Sequence, residues 1–217
     1  MELEKLQDKG IENFIFKKKI KQEEEKLFIM RYQVLTKSIN GLTESFIVNF
    51  QRLKELLLEN GSKSYCNFYY IQNDNMLNLG LSFSDNGEEP IQESDALYIL
   101  QNELFITTDY ANFNKLINTF KNDIGKNIKA KTKLETNMIS YDFENVDYYL
   151  KTLDFHFPVS FLKFNMFQYR STNLNDEILM NFEGKNNKIS FCVHAIFSNT
   201  DKLFGESNGY DLGNLMP

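Results

Sequence analysis

Tryptophan is absent from the 217-residue chain, which also has only two cysteines, three prolines and two histidines. Cys66 and Cys192 are too few for a disulfide framework, so the fold has to rest on a hydrophobic core. With export signals also missing, both thiols are expected to be reduced. No apolar run approaches the ~20 residues of a membrane-spanning helix. The start, Met1-Glu2-Leu3-Glu4-Lys5, lacks the basic-then-apolar order of a signal peptide. Together these absences point to the cytoplasm. Positive charge is also short: 24 Lys and Arg stand against 30 Asp and Glu, a net charge of −6. That balance disfavours coating nucleic acid or an anionic membrane. The G-x-x-x-x-G-K-[ST] phosphate loop, the G-x-G-x-x-G dinucleotide fingerprint and the G-x-S-x-G nucleophile elbow do not occur.

What the chain does have is aromatic bulk, twenty Phe and eleven Tyr, so the core is expected to be Phe-rich. A chain of this length buries roughly 70% of its unfolded surface. No linker, internal repeat or low-complexity segment interrupts it, and one domain over 1–217 is expected.

The organising stretch is 20–60, which reads as two helices broken at Asn40-Gly41. In the first, Leu27, Met30 and Val34 form one stripe, and Phe28, Tyr32, Leu35 and Ile39 form another beside it. In the second, Leu42, Phe46, Phe50, Leu53 and Leu57 share a stripe, with Thr43 as cap and Asn60-Gly61 as stop. The expectation is an antiparallel helical hairpin covering the chain's own sheet; a partner-binding face is the other reading. Lys17-Lys18-Lys19 before Glu23-Glu24-Glu25 reads as a solvated, internally neutralised face rather than an anion site. Residues 1–19 are read as a possible arm.

After Gly61 the period changes to two. Tyr65–Ile71 and Leu77–Phe83, joined by Gln72-Asn73-Asp74-Asn75, read as a β-hairpin with one buried and one wetter face. Leu104-Phe105-Ile106 reads as a strand. Helices follow near 109–125, capped by Thr108 or Asp109 and closed by Gly125, and near 145–154, capped by Asn145. Met138–Phe143, Val159–Arg170, Asp176–Glu183 and Ile189–Phe197 read as strands, and 199–217 as an irregular tail. The sum is an α+β fold: an N-terminal helical hairpin on a mainly antiparallel sheet of five to seven strands, with two shorter helices between strands.

The weak catalytic candidates are His156, His194 and Asp142. Cys192 and His194 stand two apart on one strand, so both point to one face and offer two metal ligands or a thiol with its base. Only Cys66 and His156 remain to complete such a site. The plainer reading is a partly exposed strand face with a polar His and a small Cys. Asp142, Glu144 and Asp147 span a strand end and a helix start, where acidic residues suit the helix dipole. Lys121 to Lys133 beside Phe120 is the one candidate nucleic-acid patch, and a solvated loop after a helix is the plainer reading of it. Tyr210–Pro217 faintly resembles the D-R-G-H motif of ββα-metal nucleases, but Leu212 stands for the Arg and Asn214 for the His.

The expectation is therefore a non-enzymatic protein-interaction or assembly module without cofactor or metal, partnered by another protein or by itself, with nucleic acid and membrane spans disfavoured. Its binding residues are expected among the strand aromatics Tyr65, Tyr69, Tyr70, Phe167 and Tyr169, since Tyr is favoured at interfaces. The alternative is a metal-dependent hydrolase or nuclease using His156, His194 or the Asp142 cluster.

Overall fold

The computed structural model describes residues 18–20, 22–156, 158–170, 185–197, 210–211 and 214–216. The mixed α+β architecture is as expected, but the strands divide into two sheets rather than one. Among the described residues, β1 (Lys18–Lys19), β10 (Tyr210–Asp211), β9 (Ile189–Phe197), β8 (Val159–Gln168) and β2 (Ser45–Asn49) form a five-stranded sheet in that order. β11 (Asn214–Met216), β7 (Met138–Asp142), β3 (Tyr65–Asn73), β4 (Met76–Ser84), β5 (Ala96–Gln101) and β6 (Leu104–Thr107) form a six-stranded one. Every pairing in both is antiparallel.

Strand alternation sorts the side chains into three apolar layers. Phe68, Tyr70, Leu79, Leu81 and Phe83 of the six-stranded sheet meet Phe46, Val48, Phe164, Met166 and Phe191 of the other in a central core. Phe68 lies 5.4 Å from Phe164 and 5.5 Å from Phe191, centroid to centroid, so rings from both sheets interdigitate. On the outer face of the six-stranded sheet, Tyr69, Ile71, Leu97 and Ile99 pack under Phe113 and Ile117 of α3 (Tyr110–Asn122). On the outer face of the five-stranded sheet, Phe167, Tyr169 and Cys192 pack under Phe28 of α1 (Gln22–Thr36). The order is helix, sheet, sheet, helix, and β3 and β9 are buried on both faces. The wetter face expected for the 65–83 hairpin is thus covered by α3. α2 (Phe50–Glu59), α4 (Ile124–Thr132) and α5 (Phe143–His156) add apolar faces to the central core.

The helical hairpin expected over 20–60 is interrupted by a strand. Gly41 makes the expected turn at φ +83°, where a Cβ would stand 2.3 Å from the Asn75 carbonyl oxygen. Ser45–Asn49 then pairs with β8, from Ser45 opposite Asn165 to Asn49 opposite Phe161. The four-residue spacing of Leu42, Phe46 and Phe50 fits one helical turn and also two strand periods, and only the pairing chooses between them. Asn49, rather than Thr43, caps α2, its side-chain oxygen accepting from the Arg52 N–H at 2.9 Å.

Asp109 caps α3 as expected, accepting from the Asn112 N–H at 2.7 Å. Gly125 does not close that region. The break falls at Asp123, and α4 follows with Ile124, Ile128 and Thr132 buried at four-residue spacing. Lys126, Lys129 and Lys131 therefore ride on a helix, not a loop, and three helices rather than two lie between the described strands of this part. In the tail expected to be irregular, β10 joins one sheet and β11 the other. β8 pairs directly with β9, with Gln168 opposite Ile189. The expected strand Asp176–Glu183 and the possible arm before Lys18 lie outside the described residues. Among the described residues no helix is long and apolar enough to cross a membrane.

Candidate functional site

Four of the five aromatic residues expected to bind a partner are core residues. Tyr69 meets Phe113 edge-on at 5.5 Å, and Tyr70 meets Phe120 at 5.8 Å. Phe167 and Tyr169 stand edge to face at 4.8 Å beneath α1. Only Tyr65 is half-buried, at the start of β3. The count of sheet faces explains the correction. A single half-covered sheet has too few faces for this many rings, whereas two stacked sheets with a helix on each outer face bury four.

The catalytic candidates are spread out. Asp142 is exposed at the end of β7, where it accepts a hydrogen bond from Asn145 at 3.1 Å. Glu144 is exposed and Asp147 pairs with Lys151, both on α5. His156 ends α5, and its side chain lies outside the described residues. His194 is on the other sheet, buried beneath α1. Cys66 is buried in the central core, where burial alone pushes its thiol far up and leaves it an inert thiol.

His194 instead belongs to a cluster that sequence reasoning half found. Cys192 and His194 share a strand face, as their spacing requires. That face is covered, not partly exposed, because α1 lies across it. The third member is Glu25, from the first turn of α1. Its carboxylate Oε1 lies 2.5 Å from His194 Nε2 and 3.1 Å from Cys192 Sγ, and Sγ lies 3.7 Å from Nε2. All three residues are buried. Burial pushes the Glu25 carboxyl up, but the His194 hydrogen bond and charge, the Cys192 hydrogen bond and the Lys163 charge outweigh it and hold it below the usual range. Lys163 stands directly across the ladder from His194.

Glu25 was legible in principle. Positions 25, 28, 32 and 35 follow helical spacing, and Phe28, Tyr32 and Leu35 are the buried stripe of α1. Glu25 extends that stripe by one turn. Its place in an acidic run, Glu23-Glu24-Glu25, made all three look solvated.

The described contacts of the cluster are not arranged as a nucleophilic relay. A Cys–His–carboxylate relay uses the two ring nitrogens separately, one toward the nucleophile and one toward the carboxylate. Here Sγ and Oε1 both approach Nε2, so the three heteroatoms converge on one point.

The second feature is the outer face of α1. Leu27, Met30 and Val34 keep 47%, 60% and 65% of their surface in solvent. Their spacing places them on one stripe, away from the stripe that meets the sheet. Glu23 precedes the stripe and Lys37 follows it, both exposed. No family model, curated protein or solved structure matches the chain, so its functional reading rests on these residues.

Proposed function

We propose that this protein is a non-enzymatic assembly module that associates with a second copy of itself through the outer stripe of α1. The observation that supports this is the exposure of Leu27, Met30 and Val34 on a helix whose opposite stripe is already packed on the sheet. Three large apolar side chains in helical register are the contact pattern by which helices recognise apolar partners.

Charge placement favours a second copy as that partner. A two-fold antiparallel pairing of α1 centred on Met30 sets Leu27 beside Val34 of the other copy. The same pairing sets Glu23 opposite Lys37, because these lie equally far on either side of Met30. Two-fold symmetry makes each contact twice. The stripe offers a few hundred Å² per copy, less than the ~800 Å² per partner of a standard interface, so the dimer is weak and concentration-dependent. A hydrolase built on Asp142 and His194 has no comparable support, since the two sit on different sheets.

Sedimentation velocity over a concentration series tests this. The wild-type protein should shift toward dimer as concentration rises, and Met30→Asp should stay monomeric with an unchanged near-ultraviolet circular dichroism spectrum. Glu23→Lys should weaken the dimer, and the double variant Glu23→Lys, Lys37→Glu should recover it. A wild-type monomer throughout the series, or a Met30→Asp protein that dimerises like wild type, overturns the reading.

A further inference from the structure

We propose that Glu25, Cys192 and His194 form a binding site for one divalent cation of the zinc type, which fastens the first turn of α1 to β9. The ligand set is the first argument. A thiolate, an imidazole nitrogen and a carboxylate oxygen are the three donors zinc takes from proteins. The thiolate selects against Mg²⁺ and Ca²⁺, which prefer oxygen alone.

Geometry is the second argument. The three donor atoms form a triangle with sides of 2.5, 3.1 and 3.7 Å. A point in that plane equidistant from all three lies about 1.9 Å from each, and a cation about 1 Å above the plane lies about 2.1 Å from each, against ~2.0–2.2 Å for Zn–N and Zn–O and ~2.3 Å for Zn–S. Tetrahedral bonds of that length hold their donors about 3.3 Å apart, so Nε2 and Oε1 have to part by about 0.8 Å as the proton between them leaves, and the sulfur has to shift by a few tenths of an ångström.

Charge is the third. Binding releases the Cys192 thiol proton and the proton held between Glu25 and His194. A dianionic set of thiolate, carboxylate and neutral imidazole then balances the 2+ charge in a buried site. The two donor strand positions are rigid within a sheet, and the third arrives on a helix packed across it, so the site is organised before the cation binds. This site is independent of the outer stripe of α1, since the two lie on different faces of the helix.

The test is a titration of the reduced, chelator-stripped full-length protein with Co²⁺, followed by Zn²⁺. The expected result is one equivalent of Co²⁺ bound, with a thiolate-to-cobalt charge-transfer band in the near ultraviolet that Zn²⁺ abolishes. Cys192→Ser should lose the band, and Cys66→Ser should keep it. Glu25→Gln and His194→Gln should each weaken binding more than about tenfold, because changes even one shell further out cost about 10–100-fold. Circular dichroism checks that each variant is folded. A wild-type titration without a stoichiometric band overturns the proposal whatever the variants do. A band that survives in folded Cys192→Ser, or that disappears in folded Cys66→Ser, overturns it as well.

Discussion

Replacing Phe68 tests the stacking of the two sheets, the feature that forms the central core of this protein. The ring lies in the central core, with Phe105 at 6.3 Å, Tyr141 at 5.9 Å, Phe164 at 5.4 Å and Phe191 at 5.5 Å from its centroid. Truncating a buried Phe to Ala costs roughly 3–5 kcal/mol. Aromatic pairs add about 0.5–1.5 kcal/mol each beyond burial, so Phe68→Ala belongs at the upper end, about 5 kcal/mol. That approaches the whole stability of many domains, about 5–15 kcal/mol. Phe68→Leu is the more useful variant. It keeps most of the apolar volume and loses the ring pairs, for a cost of about 1–2 kcal/mol and a fall in Tm of roughly 2–8 °C. The decisive measurement is a double-mutant cycle by urea denaturation. Phe68 is on the six-stranded sheet and Phe164 on the five-stranded one, so Phe68→Leu with Phe164→Leu should show a coupling of about 0.5–1.5 kcal/mol. Phe167 is on the same strand as Phe164 but packs beneath α1. Phe68→Leu with Phe167→Leu should therefore be additive within about 0.5 kcal/mol. Equal coupling in the two cycles would refute the arrangement of the sheets.

A pair of glycine substitutions probes one outer layer, and thiol labelling probes the core cysteine. A Cβ at Gly80 would stand 2.6 Å from the Phe113 ring, so Gly80→Ala should destabilise by about 1–3 kcal/mol, while Gly61→Ala, whose nearest neighbour would be 3.7 Å away, should stay within about 0.5 kcal/mol; denaturation midpoints that do not separate the pair would show that α3 is not seated over β4. Cys66 should resist a thiol reagent at pH 8 in the folded protein and react once the chain is unfolded, because burial pushes its thiol up; rapid labelling of Cys66 in folded Cys192→Ser would contradict its place in the core.

Several local features were legible because their causes lie within a few residues. The 65–84 hairpin turns through Asp74 and Asn75, both at positive φ, and these are residue types that tolerate the left-handed region. Asp109 was readable as a cap, and Asn40-Gly41 as a break. Cys192 and His194 had to share a face once their segment was a strand. The apolar spacing of Ser45–Asn49 satisfies both the helical and the strand period, so only its pairing with β8 makes it a strand. The stop expected at Gly125 failed because the glycine serves close packing there: a Cβ would meet the Phe120 carbonyl oxygen at 2.9 Å.

The sequence by itself determined the periodicities, the turns, and the amount of apolar and aromatic surface that had to be buried. Each follows from local sterics or from composition. It did not determine which strands share a sheet or which face each sheet buries, because these depend on pairings between distant parts of the chain. Phe46 lies opposite Phe164, and Phe68 of one sheet meets Phe191 of the other. Tyr70 passes from expected surface to the central core by that stacking, and Tyr69, Phe167 and Tyr169 do so because helices cover the outer faces of the two sheets. The same holds for the candidate metal site. Glu25 and His194 are 169 residues apart, and nothing local distinguishes Glu25 from Glu23 and Glu24. The seating of α1 on the five-stranded sheet turns one carboxylate of that run inward beside the thiol and the imidazole, and leaves Leu27, Met30 and Val34 facing outward.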